Sequence, residues 1–266
     1  MYFIGIDLAW SVKNSSGVAI LEGDKSKARL LSAGVFASDQ DILDHINSIV
    51  KDAPAFVSID APLIVSNETG RRLAEKVVGS LFRKYDAGAH PSNRPRLSQW
   101  SGTIRGEEIS NLLKKNGFKH DPFIKKFEKA RKFFEVYPHP SIVVLFKLDR
   151  ILRYKAKPKR DYLFRWNEFK KYQTFLKNLE SAIPSLNVEN GILEKNVKTL
   201  KAGNLKDYED ILDSIFCAYL SYYCWHSPDR CAVLGSMKEG YILTPIFDFM
   251  KKQLKDSESQ KSLAGF

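Results

Sequence analysis

The chain is poor in cysteine, in long apolar runs and in the glycine patterns that cradle phosphates. Its three cysteines, Cys217, Cys224 and Cys231, stand seven residues apart. That spacing fits no zinc motif and agrees with a reducing compartment. Cys217 and Cys224 fall on one helix stripe and read as small core residues. No segment approaches the roughly 20 apolar residues needed to cross a bilayer. The N-terminus lacks a basic start and its apolar run stops at Asp7, which argues against a signal peptide. The expectation is a cytoplasmic protein with no membrane partner. There is no Gly-Gly dipeptide and no P-loop pattern, so the usual nucleotide-binding loops are missing.

What is present is ample core and uneven charge. The 266 residues, 44% hydrophobic and 27% charged, suit one domain, 1–266, with room for an insertion. Between Lys114 and Lys171 there are 18 Lys and Arg against 6 Asp and Glu, so this region carries essentially the whole net charge of +11. Such a surplus fits a polyanionic partner, DNA or RNA, and equally a solvated lysine-rich surface.

The apolar pattern gives the element order. Met1 to Trp10 reads as a buried strand that ends at Asp7 in a turn. Gly17–Leu21 and Ala28–Phe36 continue it as an antiparallel meander. Ser38 and Asp41 form a weak capping box before a helix over 40–51. Ala55–Asp60 is a fourth strand, and that helix is long enough to make it parallel to an earlier one. Residues 61–132 read as a mainly helical insertion, with helices near 69–85, 107–116 and 122–132. Phe133–Tyr137 is a fifth strand, stopped by Pro138. A short helix starts near Ser141. Residues 147–160 include a loop, 162–179 and 205–225 are helices, 240–244 is a strand, 246–254 is a last helix, and the tail from Asp256 is frayed.

Acids occupy unusual places on this frame. Asp7 and Asp60 end apolar strands, and Glu135 sits inside Phe-Phe-Glu-Val-Tyr. A carboxylate there is costly unless paired, hydrogen-bonded or metal-bound. A turn cap would account for Asp7 alone. On the long helix, with Asp210 at zero, Ile211, Leu212, Ile215, Phe216 and Tyr219 fill an arc from about 100° to 240°. Asp213 falls near about 300°, between Leu220 and Cys217, in the flank of the apolar face. A helix needing only solubility would carry its acids near Ser214. The helix dipole accounts for Asp207 and Glu209, and poorly for Asp213. Converging carboxylates stay ionised together only when cations neutralise them, and an all-oxygen site suits Mg²⁺ or Mn²⁺. Two such ions, about 3.5–4 Å apart, activate water for phosphodiester cleavage.

Gly5-Ile6-Asp7-Leu8-Ala9-Trp10, Ile59-Asp60-Ala61-Pro62, Glu135-Val136-Tyr137-Pro138, Asp210-Ile211-Leu212-Asp213 and Glu239-Gly240-Tyr241-Ile242 resemble the family known as domain of unknown function 429, a predicted RNase H-like nuclease family. The resemblance implies an α/β fold with an RNase H-like mixed sheet, in the order β-β-β-α-β-α-β-α, and a divalent-metal carboxylate site. It implies that Asp7 bridges two metals, that Asp60 and Glu135 are ligands from neighbouring strands, and that Asp213, with Asp210, completes the catalytic set. Nuclease activity follows only as a prediction, because fold does not fix function.

Other groups have two readings each. Arg71 and Arg72 reach a substrate phosphate, or make surface salt bridges. Lys155, Lys157, Lys159 and Arg160 contact a nucleic-acid backbone, or are solvated. His139 shuttles a proton, or is a loop residue held locally. Trp10 stacks on a base, or packs in the core or its rim. The expected activity is a metal-dependent phosphodiester hydrolase, a nuclease. The alternatives are a nucleotide-binding phosphotransferase of the actin-like or sugar-kinase type, and a non-catalytic nucleic-acid-binding module.

Overall fold

The structure, a computed structural model, describes residues 1–189 and 191–254. Three strands, β1 (Tyr2–Asp7), β2 (Ser16–Gly23) and β3 (Lys27–Phe36), make the expected antiparallel meander. Helix α1 (Asp39–Val50) begins with the capping box read from the sequence. The Ser38 side chain accepts from the Asp41 amide, and the Asp41 carboxylate accepts from the Ser38 amide. Ile42, Leu43, Ile46 and Val50 bury one stripe of it. The helix returns the chain to β4 (Ala55–Ile59), which lies parallel to β1.

Helices α2 (Leu73–Phe82), α3 (Arg94–Ser98) and α4 (Arg105–Lys115) fill much of the segment between β4 and the next long strand. Then follow β5 (Lys119–His120), β6 (Arg131–Glu135), α5 (Pro138–Leu145), α6 (Tyr162–Asn178), β7 (Ser185–Asn187) and α7 (Ala202–His226). A hairpin of β8 (Cys231–Ser236) and β9 (Gly240–Pro245) closes the chain, with helical residues at 248–254. Among the described residues the central sheet has seven strands in the order β5-β6-β4-β1-β2-β3-β7. It is parallel except where β2 meets β1 and β3.

Alternation along the strands sends side chains to two cores. Phe3, Phe56 and Phe134 join α6 and α7 on one face. Ile4, Ile6, Val57, Ile59 and Phe133 join α1 and α4 on the other. A third apolar cluster ties α2 and α5 to β8 and β9 through Ala74, Val78, Val143, Leu234 and Ile242.

Helix α7 lies across β1, β2, β3 and β4 and is buried on nearly every side. Its closest face to the sheet is made of small residues. A Cβ on Gly5 would stand 2.0 Å from the Ala218 nitrogen and 2.1 Å from the Ser214 oxygen. A Cβ on Gly17 would stand 2.1 Å from the Asp210 oxygen. The Ser58 hydroxyl donates to the Cys217 carbonyl at 2.5 Å, and the Ser221 hydroxyl donates to the Ile4 carbonyl at 3.0 Å. This corrects the helical-wheel reading: the Ser214 side is the face pressed on β1, and Ser214 is fully buried. Hydrophobicity marks the bulky arc of the helix but not the small-residue arc that approaches the backbone.

The sequence misplaces three further elements. Residues 122–130 form no helix: Phe127 has a φ of 59° and its amide donates to the Trp225 carbonyl, the Trp225 indole N–H donates to the Glu128 carbonyl, and the Lys132 ammonium donates to the Phe123 carbonyl. Strands β7 and β8 were not legible, since each is short and depends on a partner distant in sequence. The thiols of Cys224 and Cys231 lie 3.4 Å apart but are not bonded. The tail from Asp256 lies outside the described residues.

The Gly5 contact gives a direct test of this packing. With helix backbone on the far side there is no flexible neighbour to move, so Gly5→Ala should cost about 3 kcal/mol or more in denaturant unfolding. Gly79→Ala, inside α2 with no heavy atom within 4 Å of the new Cβ, should be neutral or stabilise by up to about 1 kcal/mol.

Candidate active site

Parallel strands β1 and β4 end at the same edge of the sheet, and their last carboxylates leave on the face that holds α7. Asp7 closes β1 on the side of Phe3 and Gly5. Asp60 follows β4 on the side of Phe56 and Ser58, and its amide donates to the Ile6 carbonyl at 2.9 Å. The glycine contacts draw the first half of α7 down over this edge. Asp210 lies over Gly17, the residue paired with Asp7 in the β1–β2 ladder. One turn further, Asp213 is fully buried. Four acids from three separate stretches of the chain thus converge.

Two lysines enter the cluster. The Lys155 ammonium is 2.8 Å from Asp213 Oδ2, and the Tyr154 hydroxyl donates to Asp213 Oδ1 at 2.6 Å. Lys206, one turn before Asp210, pairs with it and with Glu209 at 3.1 Å. Glu209 also meets Arg165 at 3.4 Å. The loop bearing Lys155 is tied down by Arg160, whose guanidinium donates to the Arg153 and Lys155 carbonyls. Among the described residues, no three His, Cys, Asp or Glu side chains stand so as to hold a metal ion.

The electrostatics show an excess of negative charge. Burial, then the neighbouring Asp213, raises the Asp7 carboxyl against the pull of Lys155. Burial and Asp7 push Asp60 well above the usual carboxylate range. Burial and Asp7 push Asp210 up to about 8, against the pull of Lys206. Burial opposes the charge on Lys155, yet Asp213, Asp7, Asp60 and Glu209 together hold its ammonium well above the ordinary value. The acids therefore retain a proton that a further cation would displace.

Glu135 is placed differently. It is in register with Ile59, and through Ile59 with Ile6, so its side chain leaves on the opposite face of the sheet from Asp7. Its carboxylate is taken up by Arg72, at 2.6 and 2.9 Å, and by the Leu63 amide at 2.9 Å. Arg72 is buried and also pairs with Glu75 at 2.6 Å, so this guanidinium is committed within the protein. Arg71, Lys157 and Lys159 are exposed. His139 has no hydrogen-bond partner on Nδ1, and burial and Lys155 hold its imidazole down to about 3, so it is neutral.

The sequence reading brings out Asp7, Asp60, Asp210 and Asp213 but misses Lys206 and Tyr154. Lys206 has a readable signal, since it precedes Asp210 by four residues on the same helix face. Tyr154 has a weaker one, an aromatic in alternation with Leu152 within a basic stretch.

A raised carboxyl pKa means the folded state binds the proton more tightly than the unfolded chain. Stability from Asp210 is therefore fully present below its ordinary 3.8 and is lost as pH rises toward about 8. In a chelator, stability should fall between pH 5 and 8 by up to about 1.4 kcal/mol per pH unit for each such proton. Asp210→Asn should flatten that fall, as read by denaturant midpoints at several pH values. An unchanged slope would place the proton elsewhere.

Comparison with curated proteins finds no match. Residues 5–239 match the family described as a protein of unknown function, DUF429. With the match spanning both strand-end aspartates and the acidic helix, the chain belongs to the DUF429 family.

Proposed function

We propose that this protein is a divalent-metal-dependent phosphodiester hydrolase with an RNase H-like fold, acting on nucleic acid. The observation that carries the reading is the convergence of Asp7, Asp60 and Asp213 from three elements onto one face of the sheet, with more negative charge than Lys155 and Lys206 neutralise. The strand order supports it: an antiparallel β1-β2-β3 meander extended on its β1 side by the parallel β4 and β6. The basic surplus around Lys157 and Lys159 suits a polyanionic substrate.

The donor chemistry suits Mg²⁺ or Mn²⁺, and the aspartates would have to draw closer to share one ion, since no three of them stand so in the described residues. All the donor groups are carboxylates, and the buried Asp213 Oδ2 has the Lys155 ammonium at 2.8 Å, a cation already standing at this oxygen. Asp7, Asp60 and Asp213 would hold the metal, with Asp210 beside them. A bound divalent ion lowers the pKa of its water and neutralises charge on the leaving oxygen. The protein's own groups set the frame for that chemistry. Tyr154 fixes the Asp213 carboxylate through Oδ1. Glu135 holds the Leu63 amide and so positions the turn that follows Asp60, a structural task that leaves it outside the ligand set. Lys155 neutralises Asp213, and with a divalent ion held by the aspartates its ammonium would be free to meet a phosphate. His139, being neutral, brings no additional positive charge to the site.

Two measurements test the reading. Asp7→Asn should reduce Mn²⁺-dependent cleavage of oligonucleotides by more than about 100-fold, because even groups one step removed from a metal cost 10–100-fold. Undiminished cleavage would reject the site. Mn²⁺ binding to the wild type near pH 7, followed by calorimetry in buffers of different ionisation enthalpy, should release protons, since Asp210 must ionise. Asp213→Asn should weaken that binding. Mn²⁺ binding unaffected by the Asp213→Asn change would place the metal elsewhere.

A further inference from the structure

Beside the carboxylates is a cleft lined by Trp10, Asp60, Pro62, His90, Ser92 and Tyr137. Its acidic groups are Asp60 together with Glu75 and Glu135, the last two held by the buried Arg72, and Trp10 supplies an indole. The Trp10 ring is extended outward by Trp100, with centroids 6.0 Å apart and planes inclined at 46°. Trp100 is 44% exposed. The Arg96 guanidinium stands 5.9 Å from the Trp10 centroid. His90, on the same rim, is close enough to Arg71, Arg96 and Lys157 to feel all three charges. None of these three cations makes an ion pair among those found in the described residues, and all are exposed. Three cations thus stand near His90 at one side of the cleft, Trp10 lines another, and Asp60 shares the lining.

That combination fits one kind of ligand. Phosphates suit the cations beside His90, whether or not a cation stands at the carboxylates. A base can lie on Trp10 or Trp100 only if it is not held in a duplex stack, because both faces of a paired base are already covered. We infer that the cleft takes a single strand of nucleic acid, with a base stacked on the Trp10–Trp100 platform and its backbone held by Arg71, Arg96 and Lys157. This rests on the hydrolase reading for the purpose of the strand, since it places the adjoining phosphate over Asp7 and Asp60. Its binding claim can be read without catalysis.

The experiment uses the full chain with a chelator present, so that no metal-dependent cleavage intervenes. Fluorescence anisotropy would follow a labelled oligothymidylate, a labelled oligouridylate and a labelled DNA duplex of the same length. Single strands should bind at least about tenfold more tightly than duplex, and Trp100→Ala should weaken that binding about tenfold. Lys157→Glu should weaken it as well and reduce its dependence on salt. Lys115→Ala, at the far end of α4, should change nothing. The two single-strand arms distinguish DNA from RNA. If Trp100→Ala lowers the melting temperature, Arg96→Ala tests the same ring. Equal duplex binding, no binding to any strand, or variants that bind like the wild type would overturn the inference. Binding with the expected variant pattern but no Mn²⁺-dependent cleavage would leave the cleft standing and remove the hydrolase reading instead.

Discussion

The structure depends on how closely α7 approaches the sheet. Gly5 and Gly17 leave no side chain between strand and helix, and Ser214, Cys217, Ala218 and Ser221 answer with small groups. Backbone therefore meets backbone. This fixes the helix both along and around its axis, because any shift would bring a larger residue onto Gly5. It also sets Asp210 above Gly17 and hence beside the end of β1. The acidic site is in this sense a consequence of packing at the core.

Charge balance is the second constraint. Burying several carboxylates at one sheet edge is unfavourable unless cations join them, and removing one partner of a buried pair leaves the other uncompensated. The protein answers on both faces of the sheet. Over α7, Lys155 and Lys206 offset part of the charge and leave the rest as raised carboxyl pKa values. On the opposite face, Arg72 pairs with both Glu75 and Glu135, and the Leu63 amide also donates to Glu135. Glu135 is held by a guanidinium and an amide on one face and the aspartates meet lysines on the other, which separates them despite their similar places on strands.

Much of this was legible locally. The β1–β3 meander, the Ser38 capping box, the parallel return to β4 and the long acidic helix all rest on patterns within a dozen residues. Asp7, Asp60 and Asp213 stand out because each breaks an apolar pattern where an acid is costly. Glu135 shows the same signal for another reason. Its face follows from strand register, which a lone stretch such as Phe-Phe-Glu-Val-Tyr does not carry when both neighbours are apolar. The helix expected at 122–132 failed because side chains from Trp225 and Lys132 hold that backbone in an irregular course.

The sequence by itself determined which residues are acidic where acids are expensive, and where the main strands and helices run, since both follow from local periodicity and desolvation. Only the tertiary structure decided which acids share a face, which cations accompany them, and that Trp10, Trp100, Arg96 and His90 meet around the same cleft. Those outcomes depend on strand register and on the depth of the α7 contact. Both are set by pairs of residues up to about two hundred positions apart, such as Gly5 with Ala218, and no local pattern encodes such a distance.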